Sequence, residues 1–250
     1  MRKTVRIMAL ETSSGAGSVA LAEGGKLLSR RRFSADQQHA GELLVVMDEL
    51  TRIQGWKPID INHLYVSAGP GSFTGIRIAV TCAKAMSFAG SVKIVAVPST
   101  DVRVLNAEGK DSQVPYAAVV IDAKRKGVYV CLYKRIFEGK RQEELDTRGL
   151  VPGYRCLLEP QVMRAEEVLE RVQRPIYLLG DGLRFHGEKL KGEGVFWLGE
   201  EYWEPDAANV LRCGWLRAEA GLFTPAGELT PIYLRRPEAV ERWEKLHGEE

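Results

Sequence analysis

Cysteine, histidine, long apolar runs and a surplus of one charge are all scarce in this chain, and each scarcity removes a class of function. Four cysteines occur, Cys82, Cys131, Cys156 and Cys213, far apart and with no Cys-x-x-Cys pair. Neither a disulfide framework nor a zinc site is signalled, and reduced thiols are expected. The four histidines, His39, His63, His186 and His247, include no pair at i, i+4, the spacing that sets two imidazoles on one helix face, so no metal site is expected. No stretch nears the roughly 20 apolar residues of a membrane span. The short apolar run near the start is broken by Glu11 and is too brief for a signal peptide, so a cytoplasmic protein with no membrane association is expected. Thirty-five Lys plus Arg against 33 Asp plus Glu leave a net +2, which falls short of a protein that grips a phosphate backbone by itself. What is present is ordinary: 250 residues, 45% hydrophobic and 27% charged, enough for a soluble fold with two modest cores.

Hydrophobic periodicity divides the first third cleanly. Val5 to Leu10, Ser18 to Ala22 and Lys26 to Phe33 are short apolar runs separated by Ser13-Ser14-Gly15-Ala16-Gly17 and Glu23-Gly24-Gly25, which reads as three antiparallel strands. Leu43, Val46, Met47, Leu50 and Ile53 follow one face of a helix from His39 to Gln54, stopped by Gly55. Ile61 to Ala68 is read as a strand, Thr74 to Phe88 as a helix, Lys93 to Val97 as a strand, and Ser99 as the cap of a further helix. This βββαβαβα order predicts a mixed sheet with helices on its faces, as in the ribonuclease-H-like half of actin-type folds. The polar stretch Asn106 to Pro115 is the expected boundary, giving lobes at 1–108 and 109–250. Beyond it Tyr116 to Asp122 and Gly127 to Lys134 read as strands, Ala165 to Val172 as helix, Pro175 to Leu179 as extended. Ala207 to Gly221 reads as a helix that is free to cross back to the first lobe.

Ser67 to Arg77, SAGPGSFTGIR, links a strand directly to a helix. Its glycines permit positive φ and close backbone approach, and amide groups of Gly69, Gly71, Ser72, Phe73, Thr74 and Gly75 at a helix start suit an anion. The spacing matches neither the Walker pattern nor GxGxxG, so a tight packing turn explains the loop equally well.

The wording of that loop carries more than its spacing. GPGSFTGIRI followed by AVTCAKA resembles the signature of the TsaB (YeaZ) family. MALETSSGAGSVAL resembles that family's first hairpin, with Glu11 where Asp is usual; HAGELLVVMDEL resembles its first helix. VIDAKRKGVYVCLYK, LLGDG and PIYLRRPEAV resemble later segments, so six matches stand in order along the chain. The resemblance implies a two-lobe actin-like (ASKHA) fold, α/β with mixed sheets flanked by helices. It also implies a non-catalytic paralogue of TsaD, the enzyme that transfers threonylcarbamoyl to N6 of the tRNA adenosine beside the anticodon. TsaD is then the expected partner, with TsaE in a larger complex, tRNA reached only through that complex, and a homodimer expected when TsaD is absent.

The residues support that non-catalytic expectation. Where catalytic relatives carry a metal-binding histidine pair, this chain has Ala96-Val97-Pro98-Ser99-Thr100-Asp101-Val102. Glu11 and Asp122 stand where the carboxylates of a nucleotide cleft would, but Asp122 is followed by Ala123-Lys124-Arg125-Lys126 before any glycine, so the second phosphate loop reads as eroded and the cleft as vestigial. No cofactor is expected, and Ser72 and Ser99 lack a recognisable base. The expected partner surface lies on the two N-terminal helices: His39, Leu43, Leu44 and Met47 on the first, Ile76, Arg77, Val80 and Ala83 on the second. The rival readings are an ATP-dependent, kinase-like enzyme of the actin-like superfamily and a metallopeptidase-like hydrolase. The basic clusters Arg30-Arg31-Arg32, Lys124-Arg125-Lys126 and Arg235-Arg236 read as solvated strand ends or as guides for tRNA.

Overall fold

Strand β1 (Arg6–Glu11) is apolar on both sides and sits at the centre of a sheet, as a continuous hydrophobic run requires. The computed structural model describes residues 4–34, 39–111, 113–124, 127–136, 150–234 and 243. In the first sheet β1 pairs antiparallel with β2 (Ala16–Glu23) and parallel with β4 (His63–Ser67). β3 (Lys26–Ser34) and β5 (Lys93–Val97) form the two edges. Alternation along β1 assigns its side chains to two cores: Ile7 and Ala9 to one face, Met8 and Leu10 to the other.

The face bearing Met8 and Leu10 is covered by α1 (His39–Ile53) and α2 (Phe73–Gly90). Leu43, Val46, Met47 and Leu50 of α1, and Ile76, Ala79, Val80 and Ala83 of α2, are buried there. Gly55, with φ +67°, takes the left-handed turn that ends α1. Ser72 caps α2 through its hydroxyl, which accepts the Gly75 amide.

The opposite face packs on α6 (Ala207–Glu219), and α6 in turn packs on α3 (Ser99–Val104). Gly214 lies so close to the Tyr65 ring that a Cβ would collide with it, which explains a glycine inside a helix. α3 and α6 stand between this sheet and a second one built from β6 (Tyr116–Asp122), β7 (Gly127–Arg135), β8 (Tyr154–Arg164), β9 (Ile176–Leu179) and β10 (Val195–Trp197), ordered β10-β9-β6-β7-β8. Short helices α4 (Ala165–Arg171) and α5 (Gly182–His186) accompany the second sheet.

A buried ionic network sits in the layer between the sheets. The Asp101 carboxylate of α3 accepts the Tyr133 hydroxyl at 2.6 Å and the Arg217 guanidinium at 2.7 Å, and Arg217 also donates to the Leu150 carbonyl at 2.8 Å. Burial pushes the Asp101 carboxyl up, and Arg217 and Tyr133 pull it part of the way back. Every charge in this trio is paired, the condition under which buried ions are tolerated.

Most of the expected elements are present, with additions and one correction. β8, β10 and α5 have no counterpart among the elements expected from the sequence. Ser99 does not cap α3: Pro98 occupies that position, and the Ser99 hydroxyl donates instead to the Pro70 carbonyl. Among the described residues no helix is long and apolar enough to cross a membrane, and no group of three metal-ligating side chains forms.

Candidate functional site

Three places gather the residues singled out by the sequence: the glycine loop, a pair of carboxylates at the strand ends, and the groove between α1 and α2. The loop after β4 is sewn to the β1–β2 turn. Ser72 N–H donates to the Ser13 carbonyl at 2.8 Å, and the Thr12 hydroxyl donates to the Gly75 carbonyl at 2.7 Å. A Cβ at Gly71 or Gly75 would collide with the Ser13 or Thr12 carbonyl oxygen. Gly69 takes φ +104°, in the region that favours glycine. The loop therefore brings two backbones into contact, and the Ser72 and Gly75 amides are taken up inside that seam.

Glu11 ends β1 and is fully buried. Its Oε1 accepts the Ser13 amide at 2.5 Å, while Oε2 has no partner among the described residues. Burial raises its pKa from the ordinary 4.5, and Ser13, Ser67 and the nearby Arg103 charge offset only part of this.

Asp122 holds the equivalent place at the end of β6, with the opposite outcome. Lys124 donates to it twice, amide to Oδ1 at 3.0 Å and ammonium to Oδ2 at 2.8 Å, and His186 Nε2 lies 3.5 Å from Oδ1. Burial alone would raise this carboxyl, but Lys124 and His186 outweigh it and the pKa falls below 3.8. Gly180 and Gly182 press against the backbone and side chain of Val120 in β6. An actin-type nucleotide site needs both carboxylates open to a hydrated cation. These two do not fit that role: Glu11 is sealed, and the ammonium of Lys124 covers Asp122.

Between α1 and α2 an apolar groove of about 730 Å³ opens, floored by Met8 and Ile61 and walled by Leu43, Leu44, Met47, Phe73, Ile78 and Met86. Adjacent residues of α1 have opposite fates: Leu43 is 0% exposed and Leu44, at the groove, 59%, while Val45, 57% exposed, lies on the other side of the helix beside Arg31 and Phe33. The expected surface residues thus separate into three sets. Leu44 and Arg77 reach solvent, Leu43 and Met47 line the groove from beneath, and Ile76, Val80 and Ala83 belong to the core under the helices. His39 begins α1, but its side chain lies outside the described residues, as do Arg125, Lys126, Arg235 and Arg236. Arg30 and Arg32 share the buried Asp206 carboxylate, and Arg31 pairs with Glu49.

Tyr233 joins the groove from the far end of the chain. Its hydroxyl accepts Arg77 Nε at 2.7 Å across 156 positions of sequence, and its ring lies 5.1 Å from that of Phe73. No local pattern announces such a contact.

Comparison with known proteins adds independent findings. The family model for TsaD, tRNA N6-adenosine threonylcarbamoyltransferase, matches residues 33–152. The chain is 25% identical over 248 residues to the tRNA threonylcarbamoyladenosine biosynthesis protein TsaB of Escherichia coli, covering 98% of this chain and 100% of that one. It is 24% identical over 241 residues to TsaB of Bacillus subtilis, covering 95% and 97%. The solved structure of YeaZ from Pseudomonas aeruginosa superposes with a TM-score of 0.75 at 24% identity, covering 92% of this chain and 100% of that chain, a likeness that shows the fold.

Proposed function

Since the chain is of the TsaB (YeaZ) type along its whole length, we propose that it serves threonylcarbamoyladenosine biosynthesis as a non-catalytic subunit. Its role is to bind TsaD through the α1/α2 groove and enable threonylcarbamoyl transfer to tRNA. The observation that carries this reading is the groove itself. Two helices already anchored to their own sheet still expose Leu44 and Phe73 beside an apolar trough, more apolar surface than a helix pair facing only inward would leave. The TsaD family model spans residues 33–152, which include both helices. A paralogous partner would bring a matching pair, and two matching pairs pack about a pseudo-twofold axis.

The same reading takes the glycine loop, Gly69 to Gly75, as a packing seam left from a phosphate site, and Glu11 with Asp122 as a cleft that no longer holds nucleotide. The lobes divide at 108/109, with α6 assigned to the second and lying on the first. TsaE joins the TsaD pair, tRNA is met through the assembly, the chain pairs with itself when TsaD is absent, and the setting is the cytoplasm.

The test is reconstitution of tRNA threonylcarbamoylation from purified TsaD, TsaE, threonylcarbamoyl adenylate and tRNA, with and without this chain. Modification is expected only with the chain present. Equal modification in its absence overturns the role, and a folded Leu44→Asp variant that supports full activity removes the groove as the docking face.

A further inference from the structure

At the mouth of the groove, α2 presents an arginine whose position is fixed but whose charge is unmatched. The Arg77 guanidinium lies 3.6 Å from the centroid of the Phe73 ring, and its Nε donates to the Tyr233 hydroxyl at 2.7 Å. Tyr233 is itself held: its neighbour Ile232 donates its amide to the Ala68 carbonyl at 2.7 Å, beside the glycine loop. A close ring contact plus one hydrogen bond removes most of the rotational freedom of a long side chain, and that freedom is what an arginine ordinarily loses on binding. With Nε engaged, the two terminal amino groups remain as a planar fork, the geometry that takes a carboxylate through two parallel bonds. No carboxylate among the described residues pairs with Arg77, whereas around α1 Arg31 and Arg52 are matched by Glu49 and Asp48.

The charges of the two walls point the same way. α2 carries Arg77 and Lys84 and no acidic residue, and the acid of α1 that lines the groove, Asp48, is already paired with Arg52. Phe73, Thr74 and Arg77 line the groove directly, so a group bound by Arg77 would sit at the edge of an apolar contact, where water is partly excluded and a charged hydrogen bond strengthens.

We infer that Arg77 is a preorganised carboxylate anchor, and that the groove takes an amphipathic helix with an apolar stripe and an Asp or Glu at the end lying over Phe73. This rests on the docking reading above and adds the residue that sets the orientation of the partner helix. Phe73 and Tyr233 are positioning residues, acting through Arg77.

Affinity for purified TsaD, measured by calorimetry at two salt concentrations with circular dichroism as a folding control, separates the possibilities. Arg77→Ala is expected to weaken binding by about tenfold or more, and Arg77→Lys to recover little, because an ammonium keeps the charge but not the fork. Tyr233→Phe should weaken it less, by about threefold, since the ring stays while the hydrogen bond is lost. In Arg77→Ala the salt dependence of affinity should also flatten. If Arg77→Ala and Arg77→Lys both bind within about twofold of the parent while Leu44→Asp abolishes binding, the anchor is refuted and the groove reading stands. Should Leu44→Asp also bind normally, the docking reading itself has failed. If Arg77→Ala disrupts only self-association of the chain, seen by sedimentation, the acidic helix belongs to a second copy and the inference for TsaD is overturned.

Discussion

The first sheet and the second repeat one strand order, β3-β2-β1-β4-β5 and β8-β7-β6-β9-β10, with the same alternation of antiparallel and parallel pairs. In each, the first strand ends in a carboxylate, Glu11 or Asp122, and the fourth strand in that order runs into a glycine turn that presses on the first hairpin or strand. What is hung on these equal frames differs. The first sheet carries helices of 15 and 18 residues, the second helices of 7 and 5. Long helices lying side by side leave a trough between their ridges, while short ones only cap a core. A groove of the α1/α2 kind therefore needs the first half, and equal topology does not confer equal surface. The carboxylates diverge for an equally local reason: Ser-rich backbone closes over Glu11, whereas a lysine two residues on reaches Asp122.

The comparison breaks most severely at the joint between the halves. Asp101→Leu leaves Arg217 buried without its partner and is expected to lower unfolding free energy by about 3–5 kcal/mol, read from urea denaturation. The double variant Asp101→Leu/Arg217→Met should regain most of that loss, and an additive double variant would refute the pairing. Next come the glycine seams, tested in parallel. Gly75→Ala drives a methyl into the Thr12 carbonyl and Gly180→Ala one into the Val120 carbonyl, each expected to cost about 1–3 kcal/mol; thermal melts showing an unchanged Gly75→Ala protein would mean that seam yields freely.

The smallest and most discriminating test is pH. Glu11 has a raised pKa in the fold, so its favourable contribution is complete below the ordinary 4.5 and is lost as pH climbs through the raised value. Glu11→Gln should gain on the parent as pH rises through that window. Asp122 has a depressed pKa, so its contribution is present above 3.8 and lost as pH falls through the lower folded value. Asp122→Asn should trail the parent at neutral pH and converge with it in acid. Stability differences of the same sign for both variants would show that the two strand ends are not opposites.

Legibility followed how local each cause is. β1 to β5 and α1 and α2 were readable because period 2 and period 3.6 are written in consecutive residues, with Gly55 marking the end of α1. β8 was not, because Pro160 and alternating charged residues interrupt it, and such a segment is a strand only as an edge strand. β10 spans three residues, too few for a pattern. Within the candidate site, Leu43 and Leu44 look alike in the sequence; their burial differs because the rotation of α1 on its sheet is set by all its contacts at once.

By itself the sequence determined the order of strands and helices in the first half, the glycine loop between β4 and α2, the absence of spaced metal ligands, and a family resemblance running the length of the chain. Those follow from neighbouring residues, whose spacing fixes backbone conformation and which face is apolar. Tertiary structure alone decided that Glu11 is sealed and Asp122 covered, that Asp101 meets Arg217 across 116 positions, and that Tyr233 steadies Arg77 at the lip of the groove. Such pairings depend on how whole elements pack, because a hydrogen bond or a buried charge answers to distance in space and is indifferent to distance along the chain.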